Sequence, residues 1–220
     1  MLTATFIYDK KSDQYKLLIE GQRLFKTIHY RGKKYLLVKD QETANQIDTL
    51  LVDAPYYEKN KLYKLPNLKN VTILNGNRTF LRTLAGTKVE HVEMAADGQV
   101  SQYSLHGCAE LKSVVFPKRV CEIPSGICQF ASNLTSVKLG EVEYFMDYCF
   151  YKCEKLTVDI PKSVKHICRY AMWGTANSKV VVPRNCNQVE AYTFGNMKNL
   201  TEVVFENHYV RIDPTTFDNC

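Results

Sequence analysis

Any chemistry in this chain has to come first from sulfur and imidazole. The segment YCFYKCEKL, Tyr148 to Leu156, places Cys149 and Cys153 four residues apart, in a 220-residue chain with eight cysteines and five histidines. A Cys-x-x-x-Cys pair is half of a zinc site, which needs a second pair at similar spacing. No second pair exists, and His166 near Cys168 is its nearest unrelated neighbour. The histidines His29, His91, His106, His166 and His208 show no Cys-His-Asn or Ser-His-Asp logic. No G-x-S-x-G, P-loop, H-E-x-x-H or G-x-G-x-x-G segment occurs. The residues therefore predict no enzyme, no cofactor and no metal site.

Composition excludes further classes. The hydrophobic fraction is 45% and the charged fraction 24%, with fourteen tyrosines and ten phenylalanines, which predicts a folded chain rather than a disordered one. Net charge is +6, but its densest run, Arg31-Gly32-Lys33-Lys34, reads as a hairpin tip, so no nucleic-acid partner is expected. No stretch reaches the roughly 18–20 apolar residues of a membrane span. The opening MLTATFIYDKKSDQYK lacks the pattern of a signal peptide.

Residues 1–60 are expected to form a β-rich capping unit. Thr3 to Tyr8 with Tyr15 to Ile19, and Phe25 to Tyr30 with Tyr35 to Lys39, read as two hairpins, the second turning at Gly32. From Gln41 to Leu51, the spacing of Ala44, Ile47, Leu50 and Leu51 predicts a short helix, with Asp40 as its N-cap.

The remainder, residues 65–220, is periodic. Val100, Ile123, Phe145, Ile167, Val189 and Ile212 are anchors separated by 23, 22, 22, 22 and 23 residues. Three residues after them come Tyr103, Gly126, Tyr148, Tyr170, Tyr192 and Thr215; eight after come Cys108, Ala131, Cys153, Thr175, Met197 and Cys220. A second segment recurs in phase, as LKSVVFP, LTSVKLG, LTVDIP and LTEVVFE. Its central valines are Val114, Val137, Val158, Val180 and Val203. Backwards the frame reaches Val92 and Val71, with Phe80 falling at an anchor position. A unit this short cannot bury its own apolar face, whereas stacked units bury one continuous core. The valines then form a ladder, a short parallel β-sheet along one side of about seven turns of 21–23 residues.

The pattern C-x-x-L-x-x-V-x-Φ-P-x-x-V-x-x-I-x-x-Y-A-F, most complete from Cys153 through Leu156, Pro161, Val164, Ile167 and Tyr170 to Met172, resembles the BspA-like (Treponema-type) leucine-rich repeat. Gly140 and Glu206 replace its proline, Ser178 its leucine, and Asn185 to Gln188 is irregular. The resemblance implies a right-handed leucine-rich-repeat solenoid and a binding or adhesive role, secreted or at the cell surface, with a protein partner such as a host extracellular protein. It supplies no catalytic residues.

In this frame Cys149 and Cys153, with Cys108, Cys128, Cys186 and Cys220, occupy repeat positions and read as small buried residues. A disulfide stays open as an alternative, Cys128 with Cys149 being the pair to inspect. Cys121 and Cys168 lie out of register and read as exposed or reactive thiols. Four sequons occur, at Asn70, Asn77, Asn133 and Asn199; two of them, at Asn133 and Asn199, are Asn-Leu-Thr inside the repeat, where asparagine and threonine have structural reasons to be present. The candidate binding surface is the outward strand face: Ser113, Val115, Ser136, Lys138, Asp159, Lys179, Val181, Glu202 and Val204. The competing expectation is a structural spacer within a larger surface protein, because the chain closes on the anchor motif at Cys220 without the strand that should follow.

Overall fold

The computed structural model describes residues 2–9, 14–19, 22–23, 25–30, 33–38, 41–53, 65–74, 84–94 and 100–220. Gly32, Asp40, Asn77 and Phe80 lie outside the described residues. Strand β1 (Leu2–Asp9) pairs antiparallel with β2 (Gln14–Ile19), which continues to β3 (Gln22–Arg23). A second antiparallel pair joins β4 (Phe25–Tyr30) and β5 (Lys33–Val38). Both expected hairpin pairings are present.

The helix expected over Gln41 to Leu51 is corrected. Helix α1 covers only Gln41–Asn45, and Ile47–Asp53 is strand β6. The register of β6 against β1 slips at its start, from Leu2↔Ile47 to Thr3↔Thr49. This bulge leaves Ile47, Leu50 and Val52 all buried. A three-residue step within a strand thus copies helical spacing. The tertiary partner decides between the two, because β6 is gripped on one side by β1 and on the other by the first valine strand.

Beyond β6 the chain is a parallel β-solenoid whose strands belong to two ladders. In chain order they are β7 (Asn70–Ile73), β8 (His91–Met94), β9 (Ser113–Val115), β10 (Glu122–Ile123), β11 (Ser136–Lys138) and β12 (Tyr144–Phe145). Then follow β13 (His166–Ile167), β14 (Lys179–Val182), β15 (Gln188–Val189), β16 (Glu202–Phe205) and β17 (Arg211–Ile212). The valine ladder pairs Leu50↔Val71, Val71↔Val92, Val92↔Val114 and Val114↔Val137, so β6 forms its first rung. The anchors form a second, five-stranded parallel sheet, β10-β12-β13-β15-β17, that sequence periodicity did not announce. Val71, Val92, Val114, Phe145, Ile167 and Val189 are almost fully buried, whereas Val137 and Val203 are half-buried and Ile212, at the last rung, is 41% exposed.

The valine sheet does not run the whole length expected. It ends at β11 and resumes as the separate pair β14-β16. In the intervening turn only Thr157 separates Leu156 from Val158, where the other copies have two residues, and Thr157 to Ile160 adopts no strand. Asn177 fills the gap: Val158 N–H donates to its Oδ1 at 3.2 Å, and its Nδ2 donates to Val158 O at 3.0 Å. The side-chain amide thereby presents the donor and acceptor of a missing strand. Asn177 is buried, only 5% exposed, whereas Ser178 is exposed. The residue in leucine's place is therefore Asn177, not Ser178 as the spacing suggested.

Between each anchor and the next valine strand the backbone coils in a repeating turn. Alternate amides donate to the following turn, as Tyr148 N to Arg169 O, Phe150 N to Ala171 O and Lys152 N to Trp173 O at 2.8–3.0 Å. This geometry requires left-handed backbone three residues after the anchor: φ is 58° at Tyr148, 55° at Tyr170, 59° at Tyr192 and 59° at Gly126. Tyrosine tolerates the conformation rarely adopted by side-chain-bearing residues because its ring is packed against the adjacent turns.

Candidate functional site

The cysteines divide by burial. All eight are free, Cys128 and Cys149 included. The thiols eight residues after an anchor donate to a carbonyl of the preceding turn: Cys108 to Leu84 O at 3.0 Å, Cys153 to Cys128 O at 3.1 Å and Cys220 to Phe194 O at 2.9 Å. Burial pushes the thiols of Cys128, Cys149 and Cys153 far above the ordinary range, which removes them as nucleophiles. Cys121 is exposed as expected, and so is Cys220 despite its repeat position. Cys168 is corrected: it is buried, and its thiol is pushed up to about 12 by burial and by Glu190, Asp147 and Glu122.

The predicted strand face is only partly assembled. Ser113, Val115, Ser136 and Lys138 sit side by side on β9 and β11, and Lys179, Val181, Glu202 and Val204 on β14 and β16. Lys179 and Glu202 are paired at 2.8 Å, and Val181 is 39% exposed. The break at Val158 removes Asp159 from any strand and splits the face into two patches.

A more continuous surface lies along the coiled turns. The rings of Tyr148 and Tyr170 stack at 4.9 Å and 7°, those of Tyr170 and Tyr192 at 4.8 Å and 14°. These separations match the rise from one strand to the next in a sheet, so the solenoid itself spaces the rings, within the range of offset stacking. A second row runs beside it, with Tyr151 5.5 Å from Phe130 and 6.4 Å from Trp173. Lys152 Nζ lies 5.8 Å from the Phe130 ring and 5.7 Å from that of Tyr151. Glycine makes room where a ring crosses the next turn: a Cβ on Gly126 would strike the Tyr103 ring, and one on Gly195 that of Trp173. Partial burial together with Tyr148 and Tyr192 raises the Tyr170 phenol above its ordinary value.

The tyrosine row lines a depression of about 560 Å³ together with Gln188, Glu190, Arg211 and Asp213 along the anchor sheet and with Arg169. On the same sheet face His166 Nε2 lies 2.9 Å from Glu190 Oε1, and Arg169 Nε lies 3.6 Å from Glu190 Oε2. Sequence reasoning aligned Tyr148, Tyr170 and Tyr192 three residues after their anchors but read them only as a repeat mark, and it missed the second aromatic row and the charged face.

Repeat unit, ladder geometry and burial define a leucine-rich-repeat protein. Residues 98–220, more than half of the chain, match the BspA type leucine rich repeat region in six copies, and the chain belongs to this family. Among solved structures it is similar to a leucine-rich repeat protein from Bacteroides ovatus, at 15% identity over 83% of this chain and 40% of that one, with a TM-score of 0.47. It is also similar to a leucine rich cell surface protein from Faecalibacterium prausnitzii, at 15% identity over 92% of this chain and 53% of that one, with a TM-score of 0.41. The chain thus spans 40% and 53% of the lengths of these proteins. No curated protein matches it. Among the described residues no helix is long and apolar enough to cross a membrane.

Proposed function

We propose that this chain is a non-enzymatic protein-recognition or adhesion module of a cell surface, and that a protein partner, a host extracellular protein, docks on the tyrosine row and the depression beside it. The observation that carries this reading is the unbroken stack Tyr148-Tyr170-Tyr192 on backbone held by turn-to-turn hydrogen bonds. Rigid aromatic rings with arginine at hand, here Arg169 and Arg211, are the residue types that dominate binding energy at protein interfaces. Their rotamers are already restricted, so little entropy is lost on docking.

The strand face, Ser113 to Val204, is the second surface, supported by the exposure of Val181 beside the Lys179–Glu202 pair. A capping unit of residues 1–60 with a solenoid of residues 65–220 is part of the same proposal, with β6 counted as the solenoid's first rung. In that arrangement the cap covers a sheet edge, since β1 pairs along β6.

The test is binding to a panel of extracellular host proteins by the wild type, a Y148A/Y170A/Y192A variant and a V115A/K138A/V181A variant, with circular dichroism as the folding control. Loss of an aromatic anchor at about 2 kcal/mol corresponds to roughly 30-fold in affinity, so the tyrosine variant should weaken by at least that factor. The strand-face variant should change little. The reverse ranking moves the site to the strand face, and absence of binding by the wild type favours the spacer reading.

A further inference from the structure

We propose that His166, Cys168 and Glu190 form a zinc-binding site on the outer face of the anchor sheet. His166 Nε2, the Cys168 thiol and a Glu190 carboxylate oxygen all lie within 4.8 Å of one another. Tetrahedral zinc, with bonds of about 2.0–2.3 Å, holds its ligand atoms about 3.3–3.6 Å apart. His166 Nε2 and Glu190 Oε1, now in contact at 2.9 Å, exchange that contact for bonds to the ion.

Their backbones are already fixed. Ile167, between His166 and Cys168, points inward and is fully buried, which turns its two neighbours to the same outer face. His166 and Ile167 are paired on both sides, to Tyr144 and Phe145 and to Gln188 and Val189. Cys168 N donates to Phe145 O at 2.8 Å and Glu190 N to Ile167 O at 3.0 Å. The Thr193 hydroxyl ties the two strands together, within 2.9 Å of Cys168 O and 2.8 Å of Glu190 O. Such second-layer contacts hold metal ligands in place.

The donor set of one nitrogen, one sulfur and one oxygen suits zinc and not calcium or magnesium, which take oxygen ligands. As the zinc–sulfur bond forms, the thiol proton leaves to solvent. His166 and Glu190 retain side-chain exposures of 25% and 24%, so the fourth position stays open to water. The pattern escapes a linear motif search because its third ligand comes from the next turn, 22 residues after Cys168.

Cobalt(II), a spectroscopic substitute for zinc, titrated into the whole reduced chain is expected to give a thiolate-to-cobalt charge-transfer band that saturates at one equivalent and disappears on adding zinc. Cys168→Ser should abolish the band and Cys121→Ser, at the exposed thiol, should keep it. His166→Gln and Glu190→Gln alter partly exposed side chains and preserve the fold; each should weaken cobalt binding by at least ~10-fold, the lower bound seen even for outer-layer partners. A wild type without the band, a band that survives Cys168→Ser, or one lost with Cys121→Ser overturns the proposal. If Cys168→Ser fails to fold, unchanged affinity in both His166→Gln and Glu190→Gln overturns it equally.

Discussion

Replacing Asn177 by alanine tests whether one side chain substitutes for a strand. Its amide receives Val158 N–H at 3.2 Å and donates to Val158 O at 3.0 Å and to Lys179 O at 3.5 Å. Val158 is 4% exposed and Asn177 5%, so water reaches neither group easily in the intact fold. Alanine leaves a buried N–H and C=O without the partner they now have. Each unsatisfied group costs about 1–3 kcal/mol, and partial relaxation of the neighbouring turn brings the expected total to about 2–4 kcal/mol. For a chain of this size that is a fall of about 4–16 °C in Tm. Urea unfolding followed by far-ultraviolet circular dichroism reads the same loss as a lower midpoint. Asn177→Asp discriminates the cause: the carboxylate keeps an acceptor for Val158 N–H but faces Val158 O without a donor, so it should be destabilised as severely as alanine. If Asn177→Ala changes stability by less than about 0.5 kcal/mol, the magnitude of an ordinary surface substitution, the amide does not bridge the two sheet segments and the reasoning fails.

Three other outcomes follow from named contacts. Glu90 is held down to about 2 by hydrogen bonds and charge from Lys112 and Lys69. Because its folded value is depressed, its contribution is present above its ordinary value of 4.5 and is lost as pH falls towards about 2; Glu90→Gln should flatten the acid limb of stability between those values, and an unchanged limb refutes the assignment. Gly140→Ala sets a Cβ against the backbone of Pro117 and Lys118, which cannot rotate away; an overpacking loss of about 1–3 kcal/mol in denaturant titration is expected, and a neutral result contradicts the packing. Titration of native thiols should label Cys121 and Cys220 rapidly and the core cysteines Cys108, Cys128, Cys149, Cys153 and Cys186 only on unfolding; rapid labelling of Cys149 or Cys153 would contradict their burial.

Gly140 and Asn177 illustrate why some departures from the repeat were visible but unexplained in the sequence. At Gly140 the missing proline could be seen, yet its reason is the approach of another turn's backbone. At Asn177 the missing leucine was assigned one residue late, to Ser178, because a one-residue shortfall before Val158 has no consequence until strands must pair. Cys168 failed similarly: lying off the repeat positions suggested exposure, but it is buried.

The sequence by itself determined the repeat length, the inward ladders and therefore the solenoid, because burial of an apolar side chain every turn is written directly into residue spacing. It also marked both N-terminal hairpins through turn residues and β-rich runs. Tertiary structure alone decided that Ile47–Asp53 is a strand and not helix, since both readings bury Ile47 and Leu50 and only pairing with β1 and β7 separates them. It likewise decided which residues meet across turns: the Tyr148-Tyr170-Tyr192 stack and the His166, Cys168 and Glu190 cluster exist because parallel pairing sets equivalent positions one strand spacing apart. Groups brought together that way are about one repeat distant along the chain: the repeat frame aligns their positions, but the pairing of the strands sets which side chains touch.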